Sequence, residues 1–126
     1  MVLLHGWVNL REGNKQVQLI LEELSADEGI TISKAWMNGE VVYNLFICHN
    51  HYGGSFTKLF ESLERIAELE SPDSYGLVHL LNDEDPLFFD EWQVWRLSKN
   101  KFAKAEADKY LSPYSEKVAW YPEDDS

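Results

Sequence analysis

The chain has 126 residues, with 22 acidic against 11 basic side chains, a formal net charge of −11 and 44% hydrophobic residues. That is enough apolar material for one domain, expected to span 1–126, and too much for a disordered chain. So negative a field repels nucleic acid and anionic lipid and attracts basic surfaces, while the single cysteine, Cys48, excludes an internal disulfide and fits a reducing compartment.

Val2 to Leu10 reads as a first strand, ended by the turn residues Arg11-Glu12-Gly13-Asn14. The opening Met1-Val2-Leu3-Leu4-His5 lacks the basic and long apolar regions of a signal peptide. No later run reaches bilayer length, so a cytoplasmic location away from membranes is expected. From Asn14 the pattern turns helical. Val17, Ile20, Leu21 and Leu24 share one face, Asn14 is placed to cap the start and Gly29 to end the helix. Glu22, Glu23, Asp27 and Glu28 crowd its C-terminal half, where the helix dipole disfavours them.

Ile30–Met37 and Glu40–Cys48 form the clearest element. Asn38-Gly39 is a two-residue turn signal requiring positive φ at both positions, and so short a loop fixes the register. Met37 then faces Glu40, Trp36 faces Val41, Lys34 faces Tyr43, Ile32 faces Leu45 and Ile30 faces Ile47. Ile30, Ile32, Trp36, Val41, Tyr43, Leu45 and Ile47 fall on the core side. A second helix follows the loop 49–54, with Ser55 as its expected cap. Phe56, Leu59, Phe60, Leu63, Ile66 and Ala67 lie on one face and Glu61, Glu64 and Glu68 on the other. Pro72 stops it. Tyr75–Leu81 and Glu91–Leu97 read as strands joined by a long acidic loop, and 102–107 as a short strand or turn. The whole predicts an α+β fold: an antiparallel or mixed sheet of about five strands, in β-α-β-β-α-β-β order, with both helices on one face. The opposite face is then the natural interaction surface. Trp7 and Trp36 are expected inside. Trp92 and Trp95 point to opposite sides of one strand, so only one of them can face the helices.

Nothing is spaced for catalysis. There is no phosphate loop and no nucleophile with a base at useful spacing, so the chain is not expected to be an enzyme or to need a cofactor. Cys48, His49 and His51 are of zinc-ligand type, and they keep open an alternative reading as a metal-binding domain or hydrolase. Adjacent strand residues point apart, however, and no second cysteine exists. The denser feature is the acidic cluster Asp83, Glu84 and Asp85, with Asp90, Glu91 and Trp92 beyond it. Its spacing is not that of a calcium loop. It is the expected patch for a basic protein, with Glu61, Glu64 and Glu68 as a second patch.

The segments Ser74-Tyr75-Gly76-Leu77, Asp83-Glu84-Asp85-Pro86, Trp92, Val94, Arg96-Leu97, Lys101, Asp108 and Leu111-Ser112-Pro113 occur in this order. His5-Gly6-Trp7, Asn38-Gly39-Glu40 and Asn50-His51 precede them. The series resembles the immunity protein 7 family of bacterial polymorphic toxin systems. One departure is Ser98-Lys99-Asn100-Lys101, where the family tends to carry Ala-Arg-Gly-Lys. The resemblance implies an antidote encoded beside a toxin gene, which binds and silences the C-terminal domain of its cognate toxin. Charge adds the expectation of a basic, nuclease-type target whose active site or substrate access is occluded.

Overall fold

The computed structural model describes residues 1–11, 14–87 and 91–105. In chain order these form β1 (Val2–Asn9), α1 (Lys15–Ser25), β2 (Thr31–Met37), β3 (Glu40–His49), α2 (Gly54–Leu69), β4 (Tyr75–Asn82), β5 (Trp92–Ser98) and β6 (Lys101–Lys104). The strands make one six-stranded sheet in the order β2-β3-β1-β4-β5-β6, with every neighbouring pair antiparallel. The expected α+β fold is therefore present, with β6 as a strand beyond the five anticipated.

The order explains the layering. β3 lies between β1 and β2, and β1 lies between β3 and β4. Thus β1-α1-β2 and β3-α2-β4 are two interleaved crossovers, each joining parallel strands past an antiparallel one. The two run in opposite directions across the sheet from oppositely directed strands. The right-handed crossover rule therefore sends both helices to the same face. That face carries Val2, Leu4 and Val8 of β1, Tyr43, Leu45 and Ile47 of β3, and Val78 and Leu80 of β4. All are buried against Val17, Leu21 and Leu24 of α1 and Phe56, Leu59, Leu63 and Ile66 of α2.

Local chemistry sets the boundaries. Asn14 caps α1, its Oδ1 accepting from the backbone N–H groups of Gln16 (2.8 Å) and Val17 (3.3 Å). Gly29 does not end this helix. Ala26 is the C-cap, and Gly29 N–H instead donates to Asp27 Oδ1 in the turn that follows. Ser55 is not a cap either: α2 starts after Gly53, and the Ser55 hydroxyl donates to the Asp27 carboxylate 3.1 Å away. The backbone hydrogen bond from Gly29 and the Ser55 hydroxyl hold the Asp27 carboxyl below its usual range, against the opposing effect of partial burial.

The β2–β3 turn has positive φ at Asn38 (53°) and Gly39 (80°), and the expected pairings from Met37–Glu40 to Ile32–Leu45 are present, whereas the ladder ends at Thr31–Phe46, short of the expected Ile30–Ile47 pair. A second tight turn joins β5 to β6 through Lys99 (φ 50°) and Asn100 (φ 67°). Asparagine tolerates this left-handed conformation better than most side chains, so Asn100 can stand where the family that the sequence resembles tends to carry glycine. Its Nδ2 also donates to the carbonyls of Ala67 (2.9 Å) and Glu70 (2.6 Å), closing the end of α2.

Two tryptophans depart from expectation. Trp36 is on the predicted face but is 70% exposed. It pairs with Val41, one position beyond the last β1–β3 pair, Asn9 with Val42, so the hairpin tip overhangs its neighbour. Trp7 alternates out of the core altogether, since Val2, Leu4 and Val8 take the helix side of β1. Trp95 is the one that meets the helices, 4.7 Å from the Phe60 ring.

Candidate functional site

Among the described residues, no helix packs on the second face of the sheet. Strand register lays its side chains out in rows. One row runs Phe46–His5–His79–Val94, the next Asn44–Trp7–Leu77–Arg96, the next Val42–Asn9–Tyr75–Ser98. On the other side of the first row lie Cys48, Leu3, Leu81 and Trp92. Phe46 (43%), Tyr75 (42%) and Trp92 (37%) are exposed, whereas Val94 is buried. Large aromatics held on a rigid sheet, with few rotatable bonds, are suited to binding a protein surface. From Trp92 to the Asn9 end is about 20 Å along the strands.

His79 is half-buried, and burial holds its imidazole below the usual histidine pKa. Neutral His79 packs edge-on to Trp92 at 6.2 Å. His5 is its direct neighbour across the strands, and is exposed.

At the far end of this face is a concavity of about 410 Å³. Trp7 and Tyr75 wall it edge to face, with centroids 5.6 Å apart, and Glu40, Val42 and Asn44 line it from β3. Asn9, only 3% exposed, lies in its wall. Asn9 Nδ2 donates to Glu40 Oε1, and at 3.4 Å to the Tyr75 hydroxyl, while Oδ1 has no hydrogen-bond partner. Arg11 reaches the rim, with Nη1 3.0 Å from Glu40 Oε2 and Cζ 5.8 Å over the Tyr75 ring. His5-Gly6-Trp7, Asn38-Gly39-Glu40 and Ser74-Tyr75-Gly76-Leu77 are far apart in sequence and meet here. Nothing local in the sequence marks the concavity; it follows from the pairing of β1 with both β3 and β4.

The acidic loop is at the opposite end. Asp83 is 2.7 Å from the Met1 ammonium. Glu84 Oε1 accepts from Tyr52 N–H at 3.0 Å, and Oε2 from His51 Nδ1. A carboxylate only accepts, so the His51 proton sits on Nδ1. Asp85 Oδ1 receives Leu87 N–H at 3.0 Å. These carboxylates brace the loop, and Asp83 and Glu84 stay exposed. Glu91 is exposed beside Trp92, and Asp90 lies outside the described residues. Glu61, Glu64 and Glu68 are exposed on α2, on the helix side of the molecule. The described acids of the loop and the second patch on α2 thus lie on different parts of the molecule.

The Glu84 carboxyl is held below its ordinary value, first by the His51 hydrogen bond and then by Tyr52 N–H. A depressed carboxylate stabilises the fold above its ordinary pKa, and the contribution is lost as pH falls through the lowered value. The Glu84 side-chain carbon, followed by NMR, is expected to titrate below a free glutamate. His51→Ala should move the midpoint upward; an unmoved midpoint would show that His51 is not the cause.

Cys48, His49 and His51 do not converge. Cys48 is exposed on the second face, His49 turns to the helix side with its ring edge-on to Phe56 at 5.8 Å, and His51 holds Glu84. Among the described residues no three His, Cys, Asp or Glu side chains are grouped to hold a metal ion, and no helix is long and apolar enough to cross a membrane.

The fold and this face define a small acidic α+β protein that presents aromatics on a sheet, a form suited to gripping another protein. Residues 1–119 match the model of the family Immunity protein 7, and the chain belongs to that family. Its role is that of an immunity protein, with a toxin protein as partner. Comparison with curated proteins and with solved structures gave no match.

Proposed function

We propose that the protein neutralises the C-terminal domain of its cognate toxin by docking it on the helix-free face of the sheet and occluding its active site or substrate access. The observation that carries this reading is the set of exposed aromatics, Phe46, Tyr75 and Trp92, spread over a face that no described helix covers. The formal charge of −11 favours a basic partner, and nucleases are basic because they hold nucleic acid. Asp83, Glu84, Asp85 and Glu91 are the acids at the Trp92 end of the sheet, and Asp90, outside the described residues, is assigned to the same contact from its place in the sequence. Glu61, Glu64 and Glu68 on the helix side add to the long-range field.

Cells expressing the toxin domain encoded beside this gene should survive when they carry the wild-type protein. Trp92→Ala should weaken the measured complex by about 30-fold, the size of an aromatic hot spot of ~2 kcal/mol. Replacing the loop acids by their amides should slow association, most of all at low salt. Failure of the wild type to protect cells or to bind the domain contradicts the reading.

A further inference from the structure

We propose that the concavity bounded by Trp7, Asn9, Glu40, Asn44 and Tyr75 is a socket for an arginine side chain of the toxin; this rests on the immunity reading and names the contact through which the partner is gripped. The argument starts from Asn9. Its side chain is 3% exposed, and its Oδ1 has no hydrogen-bond partner. Exchanging oxygen and nitrogen would not help, because Glu40 can only accept and therefore fixes Nδ2 towards itself. A buried acceptor without a donor is costly, and Asn9 is one of the residues that line an open cavity. An occupant that brings an N–H or O–H group to this wall can relieve that cost as the carboxamide turns towards it.

The remaining walls narrow the choice. Trp7 and Tyr75 present aromatic surface, and Glu40 presents a carboxylate whose oxygens each keep a further lone pair. A planar guanidinium satisfies all of these at once: it stacks on a ring and spreads several donors in one plane between Asn9 Oδ1 and the Glu40 carboxylate. The rim already shows the same chemistry within the chain. Arg11 pairs with Glu40 at 3.0 Å and lies over Tyr75, but its Nη1 goes to the outer oxygen and leaves Asn9 Oδ1 unmet. A lysine ammonium would supply donors but no plane to stack. The protein's negative charge draws such a cation in.

The test measures affinity of the cognate toxin domain by titration calorimetry. Asn9→Leu removes the acceptor. Asn44→Arg, at a half-buried position on the cavity wall, fills the socket with a guanidinium from the chain itself without touching the core. Each should weaken binding at least tenfold, and Asn44→Arg should leave the melting temperature unchanged, so it carries the test if Asn9→Leu fails to fold. Individual arginine-to-alanine changes in the toxin domain should then reveal one whose loss is no longer felt in the Asn9 variant. Unchanged affinity in Asn44→Arg, or a loss coupled to no toxin arginine, overturns the socket: the cavity then holds only water or another group, and the immunity reading stands. No binding by the wild type overturns both.

Discussion

Phe56→Ala is expected to lower stability by about 3–5 kcal/mol. The ring is fully buried at the start of α2, stacked on Tyr52 with centroids 5.0 Å apart and met edge-on by His49 at 5.8 Å. Its removal leaves a cavity where the loop after β3 turns into the helix, a place that cannot collapse without breaking the helix start. A domain of this size has about 5–15 kcal/mol in total, so the loss is roughly a fifth or more of it. Trp36→Ala is the matching control. Its larger side chain is 70% exposed beside Lys34, and the change should stay within about 0.5 kcal/mol. Urea unfolding of both variants checks the pair. Similar losses would mean that the hairpin tip is covered in solution.

Gly76→Ala is expected to cost about 1–3 kcal/mol, although it adds one methyl group. A Cβ at Gly76 would lie 2.4 Å from the Trp7 carbonyl oxygen and 2.9 Å from Val8 Cα, both backbone atoms of the neighbouring strand. Neither can turn aside as a flexible side chain could, so β4 must shift from β1. That pair sets the spacing of Trp7 and Tyr75 across the concavity. The variant should therefore also weaken toxin binding when assayed well below its melting temperature. Wild-type stability in the variant would show that the β1–β4 spacing is looser than the structure has it.

Much of the fold is legible in the sequence where the determinants are local. Asn38-Gly39 fixes the β2–β3 register because a two-residue loop with two positive φ angles allows one pairing. The apolar stripes of α1 and α2 mark the buried faces for the same reason of period. Trp36 was misplaced because alternation assigns a face but not what lies above it, and the overhang past β1 depends on a distant pairing. Trp7 was misplaced because size suggested a core residue, whereas the Val2-Leu4-Val8 alternation had already filled that side. The β5–β6 hairpin escaped a clear reading because Lys99-Asn100 carries no glycine, and Asn100 earns its place by bonding the end of α2. The site divides in the same way. Acids and tryptophans are visible as residue types. The concavity comes only from the sheet order.

The most direct measurement of how the toxin is held is the indole N–H spectrum of the tryptophans as the toxin domain is added. Docking on the helix-free face should shift or broaden Trp7 and Trp92 and leave Trp95, packed against Phe60 on the helix side, in place. A saturated complex in which Trp95 responds while Trp7 and Trp92 stay unmoved would contradict the account.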